Sequence, residues 1–136
     1  MENEIFLLTR DKIDSLIEEA KVSKIRRSRI LLHENNDSKV QEMIIVLFSD
    51  SIIKPHFHPY GKPESYHVIE GELIVNIFDK DGKIIDRIEL DSVDQKFYRA
   101  NGKVIHQPVS KTEYTVYHEV YTGPFIKEVD VNYLEI

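Results

Sequence analysis

The sequence predicts an all-β domain, a sandwich or closed barrel, with one short α-helix ahead of it. Three observations carry this prediction. Beyond Glu42, short runs rich in Val, Ile, Tyr and Phe follow one another closely. Turn-forming residues separate them at Ser49-Asp50-Ser51, Pro59 to Pro63, Gly71, Asp79-Lys80-Asp81-Gly82, Asn101-Gly102 and Ser110-Lys111-Thr112. Only one segment has helical spacing.

That segment runs from about Arg10 to Lys21, with Thr9 placed to cap it. Ile13, Leu16, Ile17 and Ala20 recur at helical spacing and form one apolar stripe suited to docking on a sheet. Asp11 and Asp14 near the start and Lys21 at the end suit the helix dipole. Next comes Lys24-Ile25-Arg26-Arg27-Ser28-Arg29, the one basic cluster. It reads either as a solvated linker or as a clamp for phosphate or carboxylate, which guanidinium groups bind through paired hydrogen bonds. Ile30–His33 is a short expected strand. Longer ones follow over Glu42–Ser49, Ile52–His58, Glu64–Glu70, Glu72–Asp79, Lys83–Leu90, Gln95–Arg99, Val104–Val109 and Glu113–Thr122. Residues 1–136 read as a single domain: a helical extension over about 1–30, a barrel over about 31–126 and a tail or edge pairing over about 127–136.

Composition narrows the function. With 136 residues, 41% hydrophobic and 31% charged, the chain is long enough to bury a core. A net charge of −6 argues against general nucleic-acid binding, which depends on neutralising phosphates. The absence of cysteine removes disulfides, thiolate ligands and thiol nucleophiles together. The acidic start Met1-Glu2-Asn3-Glu4 lacks the features of a signal peptide, and no apolar run approaches membrane-spanning length. These features predict a soluble, cytoplasmic protein with no nucleic-acid or membrane partner.

The chemistry concentrates in Lys54-Pro55-His56-Phe57-His58-Pro59-Tyr60-Gly61-Lys62-Pro63-Glu64. In an extended strand His56 and His58 face the same way. The Pro/Gly turn then brings Glu64 back at the head of the next strand, and two imidazoles with a carboxylate make a divalent metal site. His106 offers a fourth ligand. The competing reading is a surface loop whose histidines coincide. His118 shares strand parity with Val116 and Val120 and is expected to point inward, as an acid/base group or as an ordinary core histidine. Tyr66 and Val68 share the face of Glu64 and should line its pocket, while His67 faces the other way, in a structural or interface role. Tyr60, Tyr98 and Tyr117 are expected either to stack on a ring or simply to pack. Lys54 and Lys62 flank the site, either attracting an anion or solvating its rim.

These residues resemble the cupin superfamily. His56, His58, Glu64 and Gly71 resemble its first motif, and Gly102 to His106 its second. Within it the chain resembles the small WbuC-type cupin-fold metalloproteins, through the N-terminal helix, Arg26-Arg27, Val40-Gln41-Glu42-Met43, the two motifs and the stretch from His118-Glu119 to Gly123-Pro124-Phe125. The resemblance implies a cupin double-stranded β-helix (jelly-roll barrel) with metal ligands His56, His58, Glu64 and His106. Three departures stand out. Asp50 replaces a usual glycine. His58 and Glu64 are separated by one residue more than is common. The second motif lacks its proline, Ala100 standing nearby, and has an extra residue before His106.

The expected cofactor is one divalent transition ion: Fe, Mn, Ni, Co or Zn. By resemblance, the expected function is metal-dependent chemistry on a sugar or sugar nucleotide in surface polysaccharide biosynthesis, in a homodimer. Isomerisation or epimerisation with His118 or Tyr66 as proton carrier is the first reaction class, and Fe(II)-dependent oxygenation the second. The alternatives are a non-catalytic, metal-containing carbohydrate-binding module and a metal-independent nucleotide-sugar isomerase or epimerase.

Overall fold

The computed structural model describes residues 4–94 and 96–134. The expectations for Met1 to Asn3, for a strand beginning at Gln95 and for the last two tail residues lie outside the described residues. Two five-stranded antiparallel sheets face each other. One has the order β1 (Arg27–Leu31), β2 (Val40–Phe48), β9 (Tyr114–Thr122), β4 (Glu64–Glu70), β7 (Phe97–Ala100). The other has the order β10 (Asn132–Tyr133), β3 (His56–Phe57), β8 (Ile105–Ser110), β5 (Glu72–Phe78), β6 (Ile84–Asp91). The predicted jelly-roll barrel with a short N-terminal helix is the observed architecture.

Helix α1 (Arg10–Val22) starts where Thr9 Oγ1 accepts the Lys12 N–H at 3.3 Å. It buries Ile13, Leu16 and Ala20 against Ile44, Val46, Phe48 and Val116 on the outer face of the first sheet. The inner faces of the two sheets enclose a second cluster that includes Met43, Ile45, Leu47, Tyr66, Leu73 and Tyr117. Strand β2 therefore lies between two apolar layers, and this is why Met43 to Phe48 is an unbroken apolar run rather than an alternating one. Along β2 and β9, odd-numbered residues face the barrel interior and even-numbered ones face the helix side.

Two elements differ from expectation, and a third had two expected forms. The strand expected over Ile52–His58 shrinks to His56–Phe57, because side chains take up the carbonyls before it. Arg27 Nη1 donates to Ile52 O, Gln107 Nε2 to Ile53 O, and His56 Nδ1 to Lys54 O. Pro55 has no N–H to offer a ladder. Strand β1 begins inside the basic cluster rather than after it. The C-terminal segment takes the second of its two expected forms, an edge pairing: α2 (Lys127–Asp130) is a single turn, and β10 pairs Asn132 with Phe57 and Tyr133 with His56. Its signal was a lone buried Asp, invisible to periodicity. No described helix is long and apolar enough to cross a membrane.

Leu16 is essentially fully buried between the helix and the sheet. Truncation by Leu16→Ala is expected to lower stability by about 3 kcal/mol. Urea unfolding followed by circular dichroism measures this, with the barrel's own strand signal unchanged below the transition.

Candidate metal centre

Sheet pairing assembles the site. His56 and His106 are direct cross-strand partners on β3 and β8. His58, two residues past His56, lies with its ring centroid 5.2 Å from each of the other two rings. One ring nitrogen from each of the three lies within 4.8 Å of the others. Glu64 approaches from the opposite sheet, with Oε1 at 2.9 Å from His106 Nε2 and Oε2 at 3.2 Å from His58 Nε2. All four residues predicted from the sequence meet at one point. His58, His106 and Glu64 are buried there, and His56 is partly exposed.

Backbone carbonyls set the chemistry of the rings. His56 Nδ1 lies 2.8 Å from Lys54 O, His106 Nδ1 2.8 Å from Val104 O, and His58 Nδ1 2.7 Å from Asp130 O. A carbonyl only accepts, so each Nδ1 must carry a proton, which leaves Nε2 as the nitrogen free to ligate; His58 and His106 aim theirs at Glu64. His58 Nε2, His106 Nε2 and Glu64 Oε1 are buried with no hydrogen-bond partner of acceptable geometry. Imidazole lone pairs thus confront a carboxylate, an arrangement that needs a positive charge between them. A divalent cation fits that donor set, and a proton is the lesser substitute.

The titration directions show the same tension. Burial, with the neighbouring His106, lowers His56 from 6.5 to about 4. Burial would also depress His58, but contact with Glu64 outweighs it and the pKa is raised. Burial would raise Glu64, yet its two histidine neighbours hold it below the usual carboxylate range.

The departures from the motif have structural answers. The extra residue after His58 lies in a loop with Gly61 at φ +83°. Lys62 ties this loop down, donating to Asp130 Oδ1 at 2.7 Å and Pro124 O at 2.6 Å. Lys62 is therefore committed to the scaffold rather than to an anion. Asp130, fully buried, also takes the Tyr121 hydroxyl and the Ile126 N–H. The extra residue before His106 is absorbed by Lys103 at φ +79°, whose N–H donates to His58 O at 2.8 Å. A Cβ on Gly102 would overlap the Pro59 carbonyl, so only glycine lets the two motif loops touch. Asp50, in place of the usual glycine, pairs with Arg26 at 3.0 Å.

Other expectations divide. Tyr66 points inward, stacked on Tyr98 with centroids 5.1 Å apart and edge-on to Tyr117. Its buried hydroxyl is held well above 10.0. His118 does not point inward. It shares the face of Val116, but that face lies toward the helix side, and its Nε2 contacts Glu42 Oε2 at 2.6 Å on the outside of the sheet. The shared parity with Val116 holds, but the face lies on the other side of the sheet, because residues beneath α1 are as buried as those in the barrel. His67 lies beside it, exposed, also outward. Tyr60 is 86% exposed and stays outside the site. Glu119 takes the inward place that His118 was expected to hold. It lies in register with Tyr66, the inward residue that follows Glu64 on β4. Burial and the Glu64 charge push its carboxyl well above the ordinary range. The alternation along β9 was its only sequence signal.

Beside the cluster opens a cavity of about 840 Å³, lined by His56, His58, Glu64, Tyr66, Glu119 and, at its outer edge, residues of β1.

Residues 8–90 match the family model described as Domain of unknown function (DUF6016). The chain belongs to that family. No curated protein matches the DUF6016 chain in sequence. Among solved structures it is similar to the capsular polysaccharide assembling protein CapF from Staphylococcus aureus (TM-score 0.66, 14% identity, 80% of this chain and 30% of that one). The chain thus spans under a third of CapF. It is also similar to an uncharacterized conserved protein with a double-stranded β-helix domain from Klebsiella pneumoniae (0.63, 18%, 89% and 90%). A cupin superfamily protein from Desulfitobacterium hafniense is a third (0.56, 14%, 71% and 76%). At these identities the likeness establishes the cupin fold of the DUF6016 chain.

In chelator-treated protein, proton NMR of the imidazoles should show His56 neutral down to pH about 4 and His58 protonating above 6.5. Because the folded His56 resists protonation while the unfolded one does not, its contribution to stability falls as pH drops from 6.5 to about 4. A common midpoint near 6.5 for both would contradict this.

Proposed function

We propose that the DUF6016 chain is a metal-dependent cupin enzyme acting on a sugar or sugar nucleotide in surface polysaccharide biosynthesis. His56, His58, His106 and Glu64 would hold one divalent transition ion, and the observation that carries this is the set of unpartnered Nε2 and carboxylate atoms. When bound, such an ion supplies Lewis-acid polarisation of a substrate oxygen. The name of the capsular polysaccharide assembling neighbour supports the substrate class. The WbuC-type resemblance, a homodimeric state and a cytoplasmic location belong to the same proposal.

The chain's own residues divide the remaining work. Tyr66, whose hydroxyl keeps its proton, donates a hydrogen bond to a substrate oxygen and does not act as a base. Glu119 is the inward group able to carry a proton beside Glu64, in the role the sequence suggested for His118. Tyr98 and Tyr117 hold Tyr66 in place by stacking and edge contact.

The position of His118 favours a second reading, a non-catalytic, metal-containing carbohydrate-binding module, since it removes the one histidine expected as an acid/base group. Elemental analysis of untagged protein should find about one transition ion per chain, lost in His56→Ala and Glu64→Ala with the fold retained. An apo protein that refuses added metal would sink the metal site. A panel of nucleotide sugars followed by proton NMR then separates the two readings. Turnover abolished by Glu119→Gln but not by His118→Ala supports the enzyme, and binding without turnover supports the module.

A further inference from the structure

Taking the metal cluster as one end of the ligand site, we infer that the cavity accepts an elongated anionic molecule whose phosphate or carboxylate is bound by Arg29 at the other end. The inward positions of β1 are Arg27, Arg29 and Leu31, in register with Leu47, Ile45 and Met43 of the barrel core. All three β1 residues line the cavity that holds the cluster.

The arginines of this segment have separate duties. Arg26 pairs with Asp50 and donates to Lys21 O, at the end of α1. Arg27 donates to Ser51 Oγ and Ile52 O. The Arg29 side chain has no hydrogen bond or ion pair among the described residues. Glu119 lies one inward row away and two strands across, and the Arg29 charge weakly opposes the upward push of burial and Glu64 on its carboxyl. Lys54 and Lys127 line the same cavity, so its open side is cationic in a chain of net charge −6. A cationic patch within an acidic surface focuses attraction on anions.

Register also sets the size of the ligand. Glu64 lies on β4, and β9 and β2 separate it from β1. Three interstrand steps put β1 about 14 Å from β4. The row of Arg29 runs through Ile45 and Tyr117 to Val68, four residues from Glu64, which adds about 13 Å along the strands. An arginine side chain spans part of that diagonal, leaving a gap longer than one sugar ring. A molecule with an oxygen at the cluster and an anionic group beyond its ring fits. A guanidinium with no partner offers such a group two parallel donors.

The test is isothermal titration of metal-free, chelator-treated protein with sodium phosphate and, separately, with malonate. Wild type should bind one of them saturably. Arg29→Gln should weaken that binding about tenfold or more. Arg29→Lys, keeping charge but not the fork, should fall between. Arg99→Gln, on the outward face of β7, should match wild type. Preference for phosphate over malonate assigns a phosphorylated ligand, and the reverse assigns a carboxylate. Equal affinities for wild type and Arg29→Gln, or no saturable binding to wild type, overturn the inference. Repeating the titration in His56→Ala separates the two ideas. Arg29-dependent binding there survives a failure of the metal proposal, while normal metal content with no Arg29 effect refutes the anion site alone.

Discussion

Three clustered imidazoles donate their Nδ1 protons to backbone carbonyls, and two of them, His58 and His106, present Nε2 to one buried carboxylate. Buried lone pairs facing a negative charge are unfavourable without a cation between them, and the low dielectric of the interior sharpens the cost. The barrel tolerates this because its elements are held in place independently of the site. The β3–β8 pairing fixes His56 beside His106. The Lys62–Asp130 bond fixes the loop that returns the chain to Glu64, and Asp130 O orients His58. Asp130 thus serves the loop through its side chain and the ligand through its backbone.

The two sheets divide the work. The β3–β8 pair supplies His56 and His106, and His58 follows directly after β3, which suits a site that must not move. The other sheet supplies Glu64, Tyr66 and Glu119 from successive inward positions of β4 and β9, facing the histidines across the cavity. Helix α1 seals the back of the sheet that carries Glu64 and Glu119. It does so over β1 and β2, leaving His67 and His118 on uncovered outer surface. One residue of register separates Glu119, in the cavity, from His118, outside it. A one-residue slip would exchange them and would also turn Tyr117 and Tyr121 out of the interior.

Charge follows the same plan. Acidic residues dominate the chain, yet the β1 edge of the cavity is cationic. Arg26 and Arg27 are absorbed by the turn that follows β2, which leaves Arg29 as the guanidinium of this segment available to a ligand. The basic cluster is therefore not a wholly solvated linker, since Arg26 and Arg27 bond within the fold.

The sequence by itself determined the helix, most strand positions, the barrel class and the four residues that converge. These depend on local periodicity, turn chemistry and fixed spacings, all of which are properties of neighbours along the chain. Tertiary structure decided what depends on distant partners. Both faces of β9 are apolar around Val116 and Tyr117, one against the helix and one in the barrel, so alternation alone could not say which face held His118. The shortening of the strand before His56 needed Arg27 and Gln107 to reach its carbonyls from far away in sequence. The burial of Asp130 required Lys62 and Tyr121, neither of which is near it on a repeating pattern. The tautomers of the three histidines, on which the site's chemistry turns, were set by carbonyls whose positions only the folded backbone fixes.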